Sequence, residues 1–286
     1  MKKLISFGDM GREFKDKDSS KITILPVPYD KTSTWIKGAD KGPFAILEAS
    51  QELELYDIET GFEVYRNGIH TLPALEVKDL DPEKMVELVQ KNVLTSLGKD
   101  KFVVTVGGEH SVSIGAILAH DKKFKDISVL QLDAHADLRE EYMGSRYNHA
   151  CAMARIKDMS PAVQYGVRSM SIEEKQSDKS DNIFFAQKIV KDPGLSDKAI
   201  DKLNSNVYVT IDLDVFDPSI MPSTGTPQPG GLDWYGVTGL LKDLAEKKNV
   251  IGFDVVELCP NDTNKAPDIL AAKLIYKFLS YIFKNK

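Results

Sequence analysis

Seven short runs of almost unbroken apolar residues, separated by stretches with helical spacing, leave this chain few folds to choose from. They are KITILPVP (21–28), KFVVTVGG (101–108), DISVLQLD (126–133), AVQYGVRS (162–169), NIFFA (182–186), NVYVTIDLD (206–214) and NVIGFDVVEL (249–258). A strand with one wet face alternates apolar and polar residues, whereas a run apolar at nearly every position needs cover on both faces. That cover is also in the sequence. DPEKMVELVQKNVLTSL (81–97) opens with a capping Asp and a first-turn Pro. SVSIGAILAHDKKF (111–124), LSDKAIDKLN (195–204), WYGVTGLLKDLAEKK (234–248) and PDILAAKLIYKFLSYIF (267–283) are the other helical patterns. Strand and helix in alternation imply right-handed crossovers and a three-layer α/β/α fold around a mostly parallel sheet. No repeat, low-complexity tract or Gly/Ser linker divides the chain, so residues 1–286 read as a single domain.

The bulk properties exclude several classes of partner. A net charge of −6 and the lack of any dense Lys/Arg block argue against nucleic acid. The opening MKKLISFGDMGREF has no apolar stretch long enough for a signal peptide. The most apolar segment, ILAAKLIYKFLSYIF, is broken by Lys273 and Lys277 and is too short to span a bilayer. Two cysteines, Cys151 and Cys259, give no disulfide framework and no CxxC pair. A reducing cytoplasm with no membrane or nucleic-acid partner is the expectation.

Ligands of open α/β sheets bind beyond the carboxyl ends of the strands. Here VLQLDAHADL (129–138) ends an apolar run with Asp133, His135 and Asp137 at alternate positions. Strand geometry points all three to one side. VYVTIDLDVFDP repeats the device with Asp212 and Asp214, and VVTVGGEHS ends a third strand with Glu109 and His110. Burying several ionised carboxylates together costs several kcal/mol each unless a cation lies among them. Four Asp and two His without a thiolate form an oxygen-rich donor set that suits Mn²⁺ better than structural zinc. Four carboxylates are many for one ion and suit two. Two dications and one hydroxide then leave a net charge of about −1, a site that favours a cationic ligand. The loops 28–43, 139–149 and 216–232 would rim it.

With these residues in view, the chain resembles the ureohydrolases, the arginase and agmatinase family, and within it most closely the agmatinases. The matching segments are GGEHS (107–111), LDAHADLREEY (132–142), NHACAM (148–153), YGVRS (165–169), IDLDVFDP (211–218), TGTPQPGG (224–231) and DVVELCP (254–260). ILPVPYD and KGPFAILEAS (24–50) resemble the family's N-terminal segment, so the resemblance runs in order along the whole chain. It implies an arginase-like fold and one catalytic domain over 1–286. One Mn²⁺ would be bound by His110, Asp133, Asp137 and Asp212, and a second by Asp133, His135, Asp212 and Asp214. Asp133 and Asp212 would bridge. His149 matches the family's active-site histidine and Glu257 its guanidinium-binding carboxylate.

The chemistry so implied is attack on a guanidinium carbon by a hydroxide held between two Mn²⁺ ions, with urea and a primary amine released. Asp137 would orient the hydroxide, Glu257 would hold the guanidinium, and His149, near its ordinary titration range, would pass a proton to the departing amine. Agmatine, giving putrescine for polyamine synthesis, is the expected substrate. Glu140 and Glu141 beside the cleft would favour its ammonium over a carboxylate, although Arg139 and Arg146 share that loop. Lys31, Ser223 and Gln228 depart from the usual agmatinase pattern, as does the single Arg155, where a pair of basic residues is frequent. All four lie near the loops that would choose the substrate. Another guanidino or formimino compound is the alternative; a zinc deacetylase-like amidohydrolase and a non-catalytic metal-bound protein are the others. A homo-oligomer, trimer or hexamer, is implied by the resemblance alone.

Overall fold

All seven apolar runs form strands, and an eighth joins them at one edge. In chain order the strands are β1 (Ile22–Val27), β2 (Ile69–Thr71), β3 (Phe102–Gly107), β4 (Ile127–Leu132), β5 (Ala162–Val167), β6 (Ile183–Phe185), β7 (Asn206–Asp212) and β8 (Asn249–Val256). The structure, a computed structural model, describes residues 5–284; the first four residues of the N-terminal segment considered above lie outside them. Within the described residues the strands make one sheet in the order β2-β1-β3-β8-β7-β4-β5-β6, and every pairing is parallel. The edge strand β2 was not apparent in the sequence because three residues with a half-exposed centre carry no apolar run.

The five helical patterns form α2 (Pro82–Leu97), α3 (Val112–Lys123), α7 (Leu195–Asp201), α8 (Trp234–Lys247) and α9 (Ala266–Lys284). Four short helices were not predicted: α1 (Gly42–Ala49), α4 (Ala152–Lys157), α5 (Ile172–Ser177) and α6 (Ala186–Ile189). None of these exceeds about two turns, too short for a periodic pattern to stand out. Alternate strand residues enter two separate cores. Val104, Val106, Leu130, Leu132, Phe253 and Val255 pack under α8 and α9, whereas Val103, Val129, Tyr208 and Ile251 pack under α2 and α3. Cover on both faces is why the runs are apolar throughout.

Strands β3 and β4 are consecutive in that sheet's crossovers but are separated by β8 and β7. The carboxyl ends of these four central strands therefore share one edge, which is where such a sheet binds ligands. One glycine fixes how closely the neighbouring loop approaches. A Cβ on Gly108 would stand 2.0 Å from the carbonyl oxygen of Tyr29, so only glycine lets the chain after β1 cross here.

Candidate metal centre

The edge of the four central strands gathers the six predicted side chains. His110 Nδ1 lies 3.0 Å from Asp133 Oδ2, 3.0 Å from Asp137 Oδ2 and 3.5 Å from Asp212 Oδ2. His135 Nδ1 lies 2.9 Å from Asp214 Oδ2 and 3.6 Å from Asp133 Oδ1. Two groups, His110–Asp133–Asp212 and Asp133–His135–Asp214, each bring their ligand atoms within 4.8 Å of one another. Asp133 belongs to both. Asp212 belongs to the first only, and its Oδ1 accepts the Asp214 N–H at 2.8 Å.

These groups are at odds electrostatically when only protein atoms are counted. Burial, and then the charges of Asp214 and Asp133, push Asp212 well above the usual carboxylate range. Burial and the Asp133 charge push Asp137 up to about 6. Burial alone would lower His135, yet Asp214 and Asp133 lift it to about 12. Buried groups forced this far from their ordinary protonation states are the pattern of a site built around a cation.

The support beneath the cluster fixes which histidine nitrogen faces it. Gln164, Gln131, Thr210, Asp254 and Thr105 are register partners in turn across β5, β4, β7, β8 and β3, and all five are fully buried. They form a polar row one layer below the cluster. Asp254 Oδ1 accepts from Thr210 Oγ1 at 2.7 Å and Ser113 Oγ at 2.9 Å, and its Oδ2 accepts from Tyr208 OH at 2.9 Å. Thr210 has one hydrogen, which Asp254 takes, so its hydroxyl accepts from His110 Nε2–H at 2.9 Å. The Nδ1 lone pair is thereby turned toward the aspartates. It is buried and makes no hydrogen bond despite its two 3.0 Å neighbours. An orphaned buried nitrogen aimed among three carboxylate oxygens fits a metal ligand whose tautomer is set from behind. On the other side Gln164 donates to Gln131 Oε1 at 2.5 Å, and Gln131 donates to Asp133 Oδ2 at 2.7 Å.

Glu257 and His149 adjoin the cluster from separate elements, one after β8 and the other before α4. Glu257 follows β8 with φ 67°, and Asp137 has φ 52°. Left-handed backbone at a side chain other than glycine costs on the order of 1–3 kcal/mol and persists where other contacts enforce it. For Glu257 the enforcing contacts are its N–H to Gly108 O at 2.7 Å and the His110 N–H to its Oε1, also 2.7 Å. His149 opens the short turn before α4, and its buried Nε2 makes no hydrogen bond. Burial, then the imidazoles of His110 and His135, hold it down to about 4, well below the ordinary range expected from sequence.

Other expectations about the rim change. Glu140 does not face the cleft alone: Arg155 donates to it at 2.5 Å and Arg146 lies 3.5 Å away. Arg139 stacks over the Tyr142 ring, and Glu140 and Glu141 are both exposed. Glu109, adjacent to His110, turns away from the cluster and binds Thr32 and Ser33. Arg168, in the YGVRS segment, donates to the carbonyls of Asp214, Phe216 and Gln228 at 2.6, 3.2 and 2.8 Å, and so ties the 216–232 loop to the cluster. Cys151 is buried and Cys259 half-buried, both free thiols. Among the described residues no helix is long and apolar enough to cross a membrane.

This sheet with its acidic edge defines an arginase-like α/β fold. The agmatine ureohydrolase of Thermoplasma volcanium superposes with a TM-score of 0.88 at 30% identity, covering 99% of this chain and 95% of that one. The arginase family profile matches residues 20–280, and the chain belongs to that family: it is a ureohydrolase, a hydrolase of guanidino C–N bonds. An N(1)-aminopropylagmatine ureohydrolase of a Synechocystis species is 36% identical over 91% of this chain and 88% of that protein. An agmatinase of Pyrococcus horikoshii is 35% identical over 92% of each.

Proposed function

We propose that this ureohydrolase cleaves the guanidinium group of agmatine, giving urea and putrescine, at a pair of Mn²⁺ ions. The observation that carries the reading is the convergence of His110, Asp133, His135, Asp137, Asp212 and Asp214 at one strand edge with Glu257 and His149 beside them. His110, Asp133, Asp137 and Asp212 would hold one ion, and Asp133, His135, Asp212 and Asp214 the other. When bound, such ions would supply hydroxide near neutral pH by lowering the pKa of water.

The chain's own groups do the rest. Glu257, kept in place by the His110 N–H, takes the guanidinium through a charge-assisted pair. Asp137, at the rim of the cluster, orients the nucleophile and accepts its proton. Burial, the first cause of its lowered pKa, keeps His149 neutral when substrate arrives. It can take a proton during turnover and surrender it readily to the departing amine.

A second reading has a specific observation behind it. Relatives at 36% and 37% identity are N(1)-aminopropylagmatine ureohydrolases. The same residues would serve an agmatine extended at its amine. The pairing of Glu140 with Arg155 and Arg146 removes one reason for preferring a short ammonium. A cytoplasmic homo-oligomer, trimer or hexamer, acting in polyamine synthesis accompanies either reading. The test is urea release by the manganese-loaded protein from agmatine, N(1)-aminopropylagmatine and arginine, offered separately with a chelated control. Metal-dependent urea from agmatine with putrescine as coproduct is expected. Turnover confined to the aminopropyl compound would replace the first reading with the second. Turnover of none by a protein carrying two manganese ions would reject both.

A further inference from the structure

The loop after β1 supplies no ligand to the cluster, yet it is bound to the cluster's strand by a fully buried carboxylate. We infer that Glu109 and Thr32 form a positioning relay that fixes His149 against the reacting centre. The inference rests on the proposed proton-handling role of His149.

Glu109 accepts four hydrogens. They come from Thr32 N–H at 2.5 Å, Thr32 Oγ1–H at 2.5 Å, Ser33 N–H at 3.0 Å and Ser111 Oγ–H at 2.6 Å. A carboxylate has about four lone-pair directions, so these donors saturate it and leave nothing for an ion. Because Thr32 gives its only hydroxyl hydrogen to Glu109, its oxygen can act only as an acceptor toward other groups. It accepts the His149 backbone N–H at 2.9 Å. Three segments remote in sequence are thus joined in line: the end of β3 that carries His110, the loop after β1, and the turn that carries His149.

His149 has particular need of such an anchor. Its buried Nε2 makes no hydrogen bond, so that nitrogen does nothing to hold the ring. Its backbone N–H is held, and Thr32 holds it. The loop end of the relay is rigid as well. Asp30 accepts from Gly38 N–H at 2.6 Å and Ala39 N–H at 3.2 Å, and Lys37 donates to Asp30 and Ser33 at 3.3 Å each. Thr32 therefore sits in a closed turn rather than a free loop.

The experiment uses the manganese-loaded full chain with Thr32→Val, Thr32→Ser and Glu109→Gln, and His149→Asn as reference. Thr32→Val keeps the shape and removes the hydroxyl. A displacement of about 1 Å at a reacting group costs on the order of 10²-fold, so kcat should fall by about that much while KM and manganese content hold. Thr32→Ser keeps the hydroxyl and should recover most of the loss; Glu109→Gln should resemble Thr32→Val. Carbethoxylation of His149, located by peptide mass mapping, gives a readout independent of turnover. It should speed up in Thr32→Val and Glu109→Gln but not in Thr32→Ser. Native kcat and native His149 reactivity in Thr32→Val would overturn the relay, as would a serine variant no better than valine. If His149→Asn keeps native kcat, the role proposed for His149 fails, and the carbethoxylation comparison still decides whether Thr32 holds it.

Discussion

Replacing Asp254 by asparagine keeps the shape of a fully buried side chain and converts one of its oxygens into a donor. Asp254 accepts hydroxyl hydrogens from Thr210, Ser113 and Tyr208 at 2.7, 2.9 and 2.9 Å. An amide NH₂ placed at Oδ2 faces the Tyr208 hydroxyl and takes away its acceptor. A buried hydroxyl left without its partner costs about 1–3 kcal/mol. An NH₂ placed at Oδ1 faces Thr210 and Ser113 instead. Thr210 can then turn its hydrogen toward His110 Nε2, which moves the imidazole hydrogen to Nδ1, the nitrogen that faces Asp133 and Asp137. An N–H there cannot bind an ion. Changes behind a metal-binding histidine typically lower metal affinity by about 10–100-fold, or about 1.4–2.8 kcal/mol. Titration calorimetry with manganese should show that loss for Asp254→Asn, and thermal melting of the metal-free protein should show the stability cost. Manganese affinity and melting both at wild-type values would mean that Asp254 does not set the His110 tautomer.

Three further outcomes are expected. Glu257→Gln keeps an acceptor for the His110 N–H, so both manganese ions should stay bound; the lost charge pair is worth about 1.5–3 kcal/mol, so activity on the guanidine should fall by about 10–150-fold. A near-native rate would place the substrate elsewhere. Asp214→Asn changes a group 2.9 Å from His135 Nδ1, so manganese per chain, measured by atomic spectroscopy, should drop; unchanged occupancy would refute its assignment. Away from the site, burial pushes Asp57 up, but the Thr60 N–H and Lys277 Nζ, the latter 3.0 Å away, hold it below its ordinary value. A depressed carboxylate adds stability that is complete above its unfolded pKa, about 4, and is lost as pH falls through its folded value. Chemical denaturation below pH about 4 should therefore show a smaller pH dependence in Asp57→Asn than in the native chain; equal slopes would contradict the pairing.

The positions of the six clustered side chains were legible because each lies at or just past the end of an apolar run. Their directions were not set by strand alternation, since β4 ends at Leu132, Asp137 has φ 52° and Asp214 lies in a short 3-10 turn. What supports them was not legible. Glu109, Thr32 and His149 are separated by 77 and 117 residues, and nothing local to any of them points to the others. Glu140 read as a free acid beside the cleft because its partner Arg155 is 15 residues away on a helix too short to predict. The place of His149 was legible and its protonation was not. Burial and two neighbouring imidazoles set that, and both are properties of the folded site.

The polar row shows where the limit lies. Gln131 in β4 and Thr210 in β7 each stand two residues before a cluster aspartate, inside runs that are mostly apolar. A polar residue in a strand covered on both faces needs a buried partner, so the interruption itself signals a supporting network. Asp254 sends the same signal from the middle of NVIGFDVV. Which interruption meets which depends on β7 and β8 lying between β3 and β4. With that strand order, Gln131, Thr210 and Asp254 fall into register beneath the aspartates. Any order that made β3 and β4 neighbours would break at least one of the β3–β8, β8–β7 and β7–β4 pairings that line up this row. The site is thus specified twice, locally by where the acids fall on each strand and globally by which strands lie side by side.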